Sequence, residues 1–269
     1  MPQSSRHGSN RHENASVAMM NRVVIEHIRT SIRSISLLLS LVAAVTGSAR
    51  PDVAADNAST PPVIVIGFVG GFVKYDDTVH STVQLAARLR QNHPAGVRVE
   101  VVENHHREKA YAAIVQFFDS DHNGILSPEE KKNARIILYG HSWGASETVT
   151  LARQLEQEGV PVLLTVQVDS VEKRGENDRV IPANVAEAAN FYQLDGFLHG
   201  EPLIRAADPS RTHIIGNFRY NYKVTPIRCD QYPWYYRLAM KAHIEIECDP
   251  KVWSQVENLI ESRLPPRQK

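Results

Sequence analysis

Apolar residues fall in two patterns along the chain, and the patterns alternate from residue 63 onward. "VIVIGF" (63–68), "VRVEVV" (97–102), "RIILYG" (135–140) and "VPVLLTVQV" (160–168) are short runs rich in β-branched residues. Such runs suit strands buried on both faces. Between them lie stretches with apolar residues near helical spacing. "STVQLAARLRQN" (81–92) carries Val83, Leu85, Ala86 and Leu89. "REKAYAAIVQFF" (107–118) carries Ala110, Ala113, Ile114, Phe117 and Phe118. "SETVTLARQLEQEG" (146–159) stops at Gly159. Strand and helix in strict alternation predict βαβ units, hence an α/β domain with a mostly parallel sheet and helices on both faces. After residue 170 the pattern weakens. "NVAEAANFYQ" (184–193) reads as a helix leading into a short strand, and "THIIGNFRYNY" (212–222) as extended. "KVWSQVENLIESRL" (251–264) reads as a final helix with Val252, Val256, Leu259 and Ile260 on one face.

The first 60 residues break this rhythm. Residues 1–18 are polar, and Arg22, Arg29 and Arg33 precede the apolar run "ISLLLSLVAAVTGSA" (35–49). A basic segment, a short apolar core and small residues at Gly47 and Ala49 predict a secretory signal cut near Ala49, with Met19 or Met20 as an alternative start. An uncleaved anchor or a surface helix is the competing reading. The run is short for a membrane span. The organisation expected is a signal with a polar leader (1–49), a linker (50–61) and one domain (62–269), with no stable membrane span after signal removal. The protein is expected to be secreted or periplasmic.

Charge adds one exclusion. Thirty basic residues balance 30 acidic ones in 269, so no charge excess points to nucleic acid. Cysteine adds one expectation. The chain has two, Cys229 and Cys248; in an exported protein an even count favours a disulfide, against the alternative of two buried thiols.

The candidate chemistry sits in "IILYGHSWGAS". Gly140-His141-Ser142-Trp143-Gly144 fits Gly-x-Ser-x-Gly, with a strand running in and a helix running out. A serine on such a turn needs small neighbours two residues to each side. It then stands at a helix N-terminus, where free N–H groups favour negative charge. On these residues the chain resembles the α/β-hydrolase family over roughly residues 60–265, in a lipase- or esterase-like form. The resemblance implies a nucleophilic serine followed in the chain by an acid and a histidine. His243 in "KAHIEIECDPKVW", just before the final helix, matches the family's position; His199 and His213 are alternatives. Asp169 ends the fourth strand, and Asp195 follows the next possible one; Asp169 is preferred because its strand is unambiguous. The oxyanion donors expected are the N–H of Trp143 and an amide of "GFVGGF" (67–72), at Gly70 or Gly71. The partner expected is a small-molecule ester; thioesters and acyl transfer fit the same machinery. The aromatics of "YPWYYRLAM" (232–240) are expected mainly to pack over the sheet edge, and no hydrophobic patch points to a lipid interface.

One motif stands outside this chemistry. "DSDHNGILSPEE" (119–130) matches an EF-hand-type calcium loop: Asp119, Asp121, Asn123, the Ile125 carbonyl, Ser127 through water and Glu130 fall at the ligand positions, with Gly124 at the turn. Its second helix is short, and Ser127, Pro128 and Glu130 would equally make an ordinary helix cap. A single loop joined directly to the serine strand suggests a structural Ca2+ clip. A non-enzymatic calcium-binding module on a hydrolase scaffold is the competing function.

Overall fold

The computed structural model describes residues 61–267. The expected signal segment (1–49), the alternative start at Met19 or Met20, and the linker up to residue 60 lie outside the described residues. Among the described residues no helix is long and apolar enough to cross a membrane.

The chain runs β1 (Val63–Val69), α1 (Ser81–Asn92), β2 (Val97–Glu103), α2 (Arg107–Phe118), α3 (Pro128–Asn133), β3 (Ile136–His141), α4 (Trp143–Gln157) and β4 (Val162–Val168). It continues with β5 (Val180–Ile181), β6 (Val185–Gln193), β7 (Arg205–Ala206), β8 (His213–Tyr220), α5 (Trp234–Ala239), α6 (Lys241–Cys248) and α7 (Pro250–Glu261). Six strands form one sheet in the order β2-β1-β3-β4-β6-β8, and every neighbouring pair in it is parallel. β5 and β7 make a separate two-stranded pair.

Alternation along each strand divides the core. Val63, Val65, Ile137, Tyr139, Leu164 and Val166 face one side, with Leu85 and Leu89 of α1 and Val252, Trp253 and Val256 of α7. Ile64, Ile66, Phe68, Ile136 and Leu138 face the other, with Ala110 and Ile114 of α2 and Val149, Leu151, Ala152 and Leu155 of α4. Both faces are therefore covered, which is why the strands read as continuous apolar runs. This is an α/β fold with a parallel six-stranded sheet and helices on both faces.

The sheet order also locates a crevice. From β1 the chain crosses to β2 on one side, then returns past it to β3 on the other. Connections leaving in opposite directions part at the carboxyl ends of β1 and β3, the place where such sheets bind ligands. The loop after β1 and the serine turn after β3 both open there.

Three expectations need correction and one an addition. Residues 184–193 contain no helix; Val185–Gln193 is one strand, β6. Its alanines favour helix by propensity, but Ala188 and Ala189 are fully buried between β4 and β8, and pairing on both edges overrides the local preference. The helix after the serine begins at Trp143, not 146. His243 does stand just before the last helix, but inside a short helix of its own, α6, that the pattern did not show. The aromatics of residues 232–240 do not mainly pack: Tyr232 is buried, but Trp234, Tyr235 and Tyr236 on α5 are exposed. Phe72 and Phe197 stand almost fully in solvent too, so the surface is more apolar than the sequence pattern suggested.

Cys229 and Cys248 are joined, 19 positions apart in sequence and with Cα atoms 6.0 Å apart. The bridge ties the end of α6 to the segment before α5. Closing a loop of this size stabilises a fold by roughly 3 kcal/mol on the chain-entropy estimate. Replacing both cysteines by serine is therefore expected to lower Tm by about 6–12 °C, given about 2–4 °C per kcal/mol for a domain of this size. Scanning calorimetry of the double variant checks this, and an unchanged Tm contradicts it.

Candidate active site

Ser142 follows the last residue of β3 and precedes the first of α4. Its backbone sits at φ 58°, ψ −126°, a region that costs an L-residue about 1–3 kcal/mol. The surroundings force it there. Ser142 N–H donates to the Val168 carbonyl at 3.0 Å, and the Ser142 carbonyl accepts from Ala145 at 3.0 Å. A Cβ at Gly140 would lie 2.5 Å from the Gly144 carbonyl group, and one at Gly144 would run into the Phe68 carbonyl. The turn closes only because both positions lack side chains.

His243 reaches this turn from α6. Its Nε2 lies 2.9 Å from Ser142 Oγ, and its Nδ1 lies 2.6 Å from Asp169 Oδ2. All three residues are buried, Ser142 at 8% exposure being the most open. Asp169 stands just beyond β4 with φ 45°. Its carboxylate is saturated with donors: Oδ1 accepts from the Gly200 amide at 2.8 Å and the Gln193 amide at 3.2 Å, and Oδ2 from Gln193 Nε2 at 2.9 Å. An acceptor held on that many sides presents one fixed edge to the imidazole. Burial pushes the His243 pKa below its ordinary value, and a neighbouring histidine, His141, pushes the same way against the upward pull of Asp169. One ring nitrogen faces a carboxylate and the other a hydroxyl, the geometry a general base requires.

The alternatives are placed elsewhere. Asp195 Oδ2 accepts from the backbone amides of Tyr222 and Lys223, so it orders the chain after β8. His199 lies against its neighbour's carbonyl, Gly200 O, at 3.2 Å. His213 is exposed beside Glu187.

The loop after β1 packs directly on the serine turn. A Cβ at Gly70 would fall 2.8 Å from the His141 carbonyl oxygen and 2.9 Å from Ser142 Cβ. Gly71 takes φ 51°, and Val73 N–H closes a turn onto Gly70 O at 3.1 Å. Buried Asn104, at the end of β2, donates through Nδ2 to Val69 O at 3.1 Å and Gly71 O at 2.5 Å. Those bonds fix the Val69–Gly70 and Gly71–Phe72 peptide planes. Trp143 occupies the first helical position of α4, where a backbone N–H has no intrahelical partner. Gly70 and Trp143 thus meet beside Ser142, with Gly71 next in the loop. Phe72 and Trp143 lie edge to face, 5.7 Å between centroids, making an apolar rim at this corner.

The acidic loop lies away from this crevice, between α2 and α3. Carboxylate oxygens of Asp119, Asp121 and Glu130 come within 4.8 Å of one another. Gly124 turns at φ 83°. Asp119 accepts from the amides of Asn123 and Gly124, Asn123 Oδ1 accepts from Ile125 N–H at 2.8 Å, and Leu126 is buried in the core under α2. The Ser120 hydroxyl, then the amides of Ser127 and Ser120, draw the Glu130 carboxyl down to about 2. Ser127 also caps α3 in a full capping box with Glu130, so cap and loop share these residues. Three converging carboxylates, with a side-chain amide and a backbone turn between them, form an all-oxygen donor set of the kind a hard divalent cation takes.

No protein-family model matches the chain, and no curated protein sequence matches it. Among solved structures it is similar to a cutinase-like protein from Cryptococcus sp., at 12% identity and TM-score 0.40, covering 78% of this chain and 98% of that one. It is also similar to the RedJ thioesterase of the prodiginine biosynthetic pathway in Streptomyces coelicolor, at 12% identity and TM-score 0.37, covering 80% and 97%. Likenesses this distant carry no argument about chemistry; the fold and the site rest on the sheet and the distances above. Together these define a parallel α/β domain with a buried serine–histidine–aspartate constellation at its switch point.

Several residues that build the site have no local signature in the sequence. Gln193, Gly200 and Asn104 act across gaps of 24 to 35 positions. The close packing at the turn gives a direct test. Gly144→Ala forces a methyl against the Phe68 carbonyl and is expected to cost about 3 kcal/mol, a Tm fall of about 6–12 °C. Wild-type stability in that variant would mean the turn is not cramped.

Proposed function

We propose that the protein is an exported serine hydrolase that cleaves carboxylic esters. The observation that supports this most is the continuous pair of hydrogen bonds from Ser142 Oγ through both nitrogens of His243 to Asp169. In this reading Ser142 Oγ attacks the ester carbonyl while His243 Nε2 takes its proton. Asp169 holds the Nδ1–H and balances the imidazolium that forms. The tetrahedral oxygen receives N–H donors from Trp143 and from the loop at Gly70 or Gly71. His243 then returns the proton to the departing alcohol. Water enters, gives its proton to His243, and releases the acid from Ser142. The Phe72–Trp143 rim favours an apolar group on one side of the ester.

Export is supported by the disulfide, which persists in oxidising compartments. The loop at 119–130 is proposed as a structural Ca2+ site held by Asp119, Asp121, Asn123, the Ile125 carbonyl and Glu130, with Ser127 reached through water. Bound calcium would supply charge balance for the clustered carboxylates. It would also tie α2 to the start of β3, the strand that carries the serine turn.

Two experiments test these statements. Hydrolysis of p-nitrophenyl esters of increasing acyl length is measured for wild type, Ser142→Ala and His243→Ala. Either substitution is expected to lower kcat by at least about 10⁴-fold with the fold intact by circular dichroism. Full activity in Ser142→Ala rejects the mechanism, and a wild type inert toward every ester favours the non-enzymatic module. For the metal, EDTA is expected to lower Tm and added Ca2+ to restore it, with kcat below Tm unchanged. A chelator effect on kcat without one on Tm would reject the structural role.

A further inference from the structure

Two buried ionisable side chains beside Ser142 take no part in the reaction as derived above. His141, the residue before it, is 5% exposed, and Glu247 is 1% exposed. They form a close ion pair between His141 Nδ1 and Glu247 Oε2. Glu247 stands four residues after His243 on α6, so the two project from one face, one turn apart. Opposite them, the serine turn presents His141 and Ser142 as consecutive residues. One turn of helix is therefore joined to the turn twice, by His243 to Ser142 and by Glu247 to His141. The rings of His141 and His243 lie 4.5 Å apart between centroids, tilted by 33°.

The other carboxylate oxygen of Glu247 looks away from the site. It accepts from the Ser81 amide at 3.2 Å and lies 3.2 Å from His80 Nδ1. Ser81 begins α1, so the anion also faces that helix's positive end. Tyr232, inside the loop closed by the disulfide, packs edge-on against His80 with its hydroxyl 3.5 Å from the same Nδ1. One carboxylate thus ties the serine turn, the start of α1 and, through His80, the disulfide loop to the helix that carries His243. A buried ion pair is often no more stabilising than apolar residues of equal volume. Its position against a candidate base therefore points to function rather than to stability.

Resting on the serine-hydrolase reading, we infer that Glu247 is a positioning residue for His243: its ion pair with His141 locks the base-bearing turn of α6 onto the nucleophile turn and holds a second histidine ring against the first. The electrostatic consequence has a definite sign. Burial pushes the imidazolium of His141 toward neutrality, but the attraction of Glu247 outweighs it, so His141 is held above its ordinary pKa. Burial likewise pushes the Glu247 carboxyl up, and His141, then His80, hold it well below the usual range. Both directions favour the charged pair. His243 is pushed down by burial first and by His141 next, against Asp169 and, more weakly, Glu247. The charged groups facing His243 are Asp169 beyond β4, His141 before the serine and Glu247 on its own helix. His80 and Tyr232 reach only Glu247. A cation beside the base keeps it unprotonated at pH values where an ordinary histidine is charged, which extends activity toward acid.

The test is the pH dependence of p-nitrophenyl butyrate hydrolysis by wild type and Glu247→Gln. Without the carboxylate, buried His141 loses its proton, and the loss of the nearer cation outweighs the loss of the more distant anion. The acid limb of kcat/KM is therefore expected to move up by about one pH unit. At the plateau kcat should fall on the order of tenfold with KM within about twofold. Wild-type kcat and an unmoved acid limb in Glu247→Gln overturn the inference. If that variant does not fold, histidine-selective 15N NMR of the wild type decides: His141 protonated on both nitrogens and His243 on one at pH 7 is the expected result, and a neutral His141 overturns it. A wild type that neither hydrolyses the ester nor carries a reactive Ser142 rejects the hydrolase reading itself, and the NMR titration still reports on the pair.

Discussion

Ser142 is held in a backbone conformation that only its neighbours make tolerable, and the rest of the site is arranged around that one strained residue. Gly140 and Gly144 pass so close to other backbone that neither can carry a side chain. Val168 fixes the Ser142 amide from the next strand. The result is a hydroxyl lifted out of the sheet at the start of α4, where the connections leaving β1 and β3 depart in opposite directions. Everything else meets it there: the glycine loop after β1, Asp169 after β4 and His243 from α6. A strained turn of this kind persists only where surrounding contacts over-determine it, and here three strands and two helices do so.

The later part of the chain supplies what the turn lacks. α6 lies far along the sequence from Ser142, so its placement depends on long-range ties. The disulfide fixes its end, Glu247 ties its last turn to α1 and to His141, and His243 closes the contact to Ser142. The acidic loop acts on the opposite side of the sheet, where Leu126 enters the core beneath α2 just before the strand that ends in the turn. The covalent clip holds an element that parallel strand pairing alone leaves free, and the proposed calcium site would add a second on the other face.

Much of this was readable from residues 63 to 168, and the reason is physical. Strands buried on both faces must be apolar throughout, and helices packed on one face must be apolar at helical spacing, so the alternation shows itself. The Gly-x-Ser-x-Gly turn is legible because its steric demands are local. Residues 184–193 misled because alanine's helix preference is weak beside pairing on two strand edges. His243 was legible as a residue but not as part of a helix, since α6 is only eight residues long. Glu247, Gln193 and Asn104 left no local trace. Each works through a partner 24 or more positions away, and only the fold creates that proximity.

The central claim is that the fold makes Ser142 a nucleophile by bringing a neutral imidazole to its hydroxyl. The most direct measurement is treatment of the folded protein with a fluorophosphonate, followed by peptide mass mapping. The account predicts one stoichiometric adduct on Ser142, abolished by prior unfolding. Absence of any adduct on the folded protein, or an adduct on another residue with Ser142 unmodified, contradicts it.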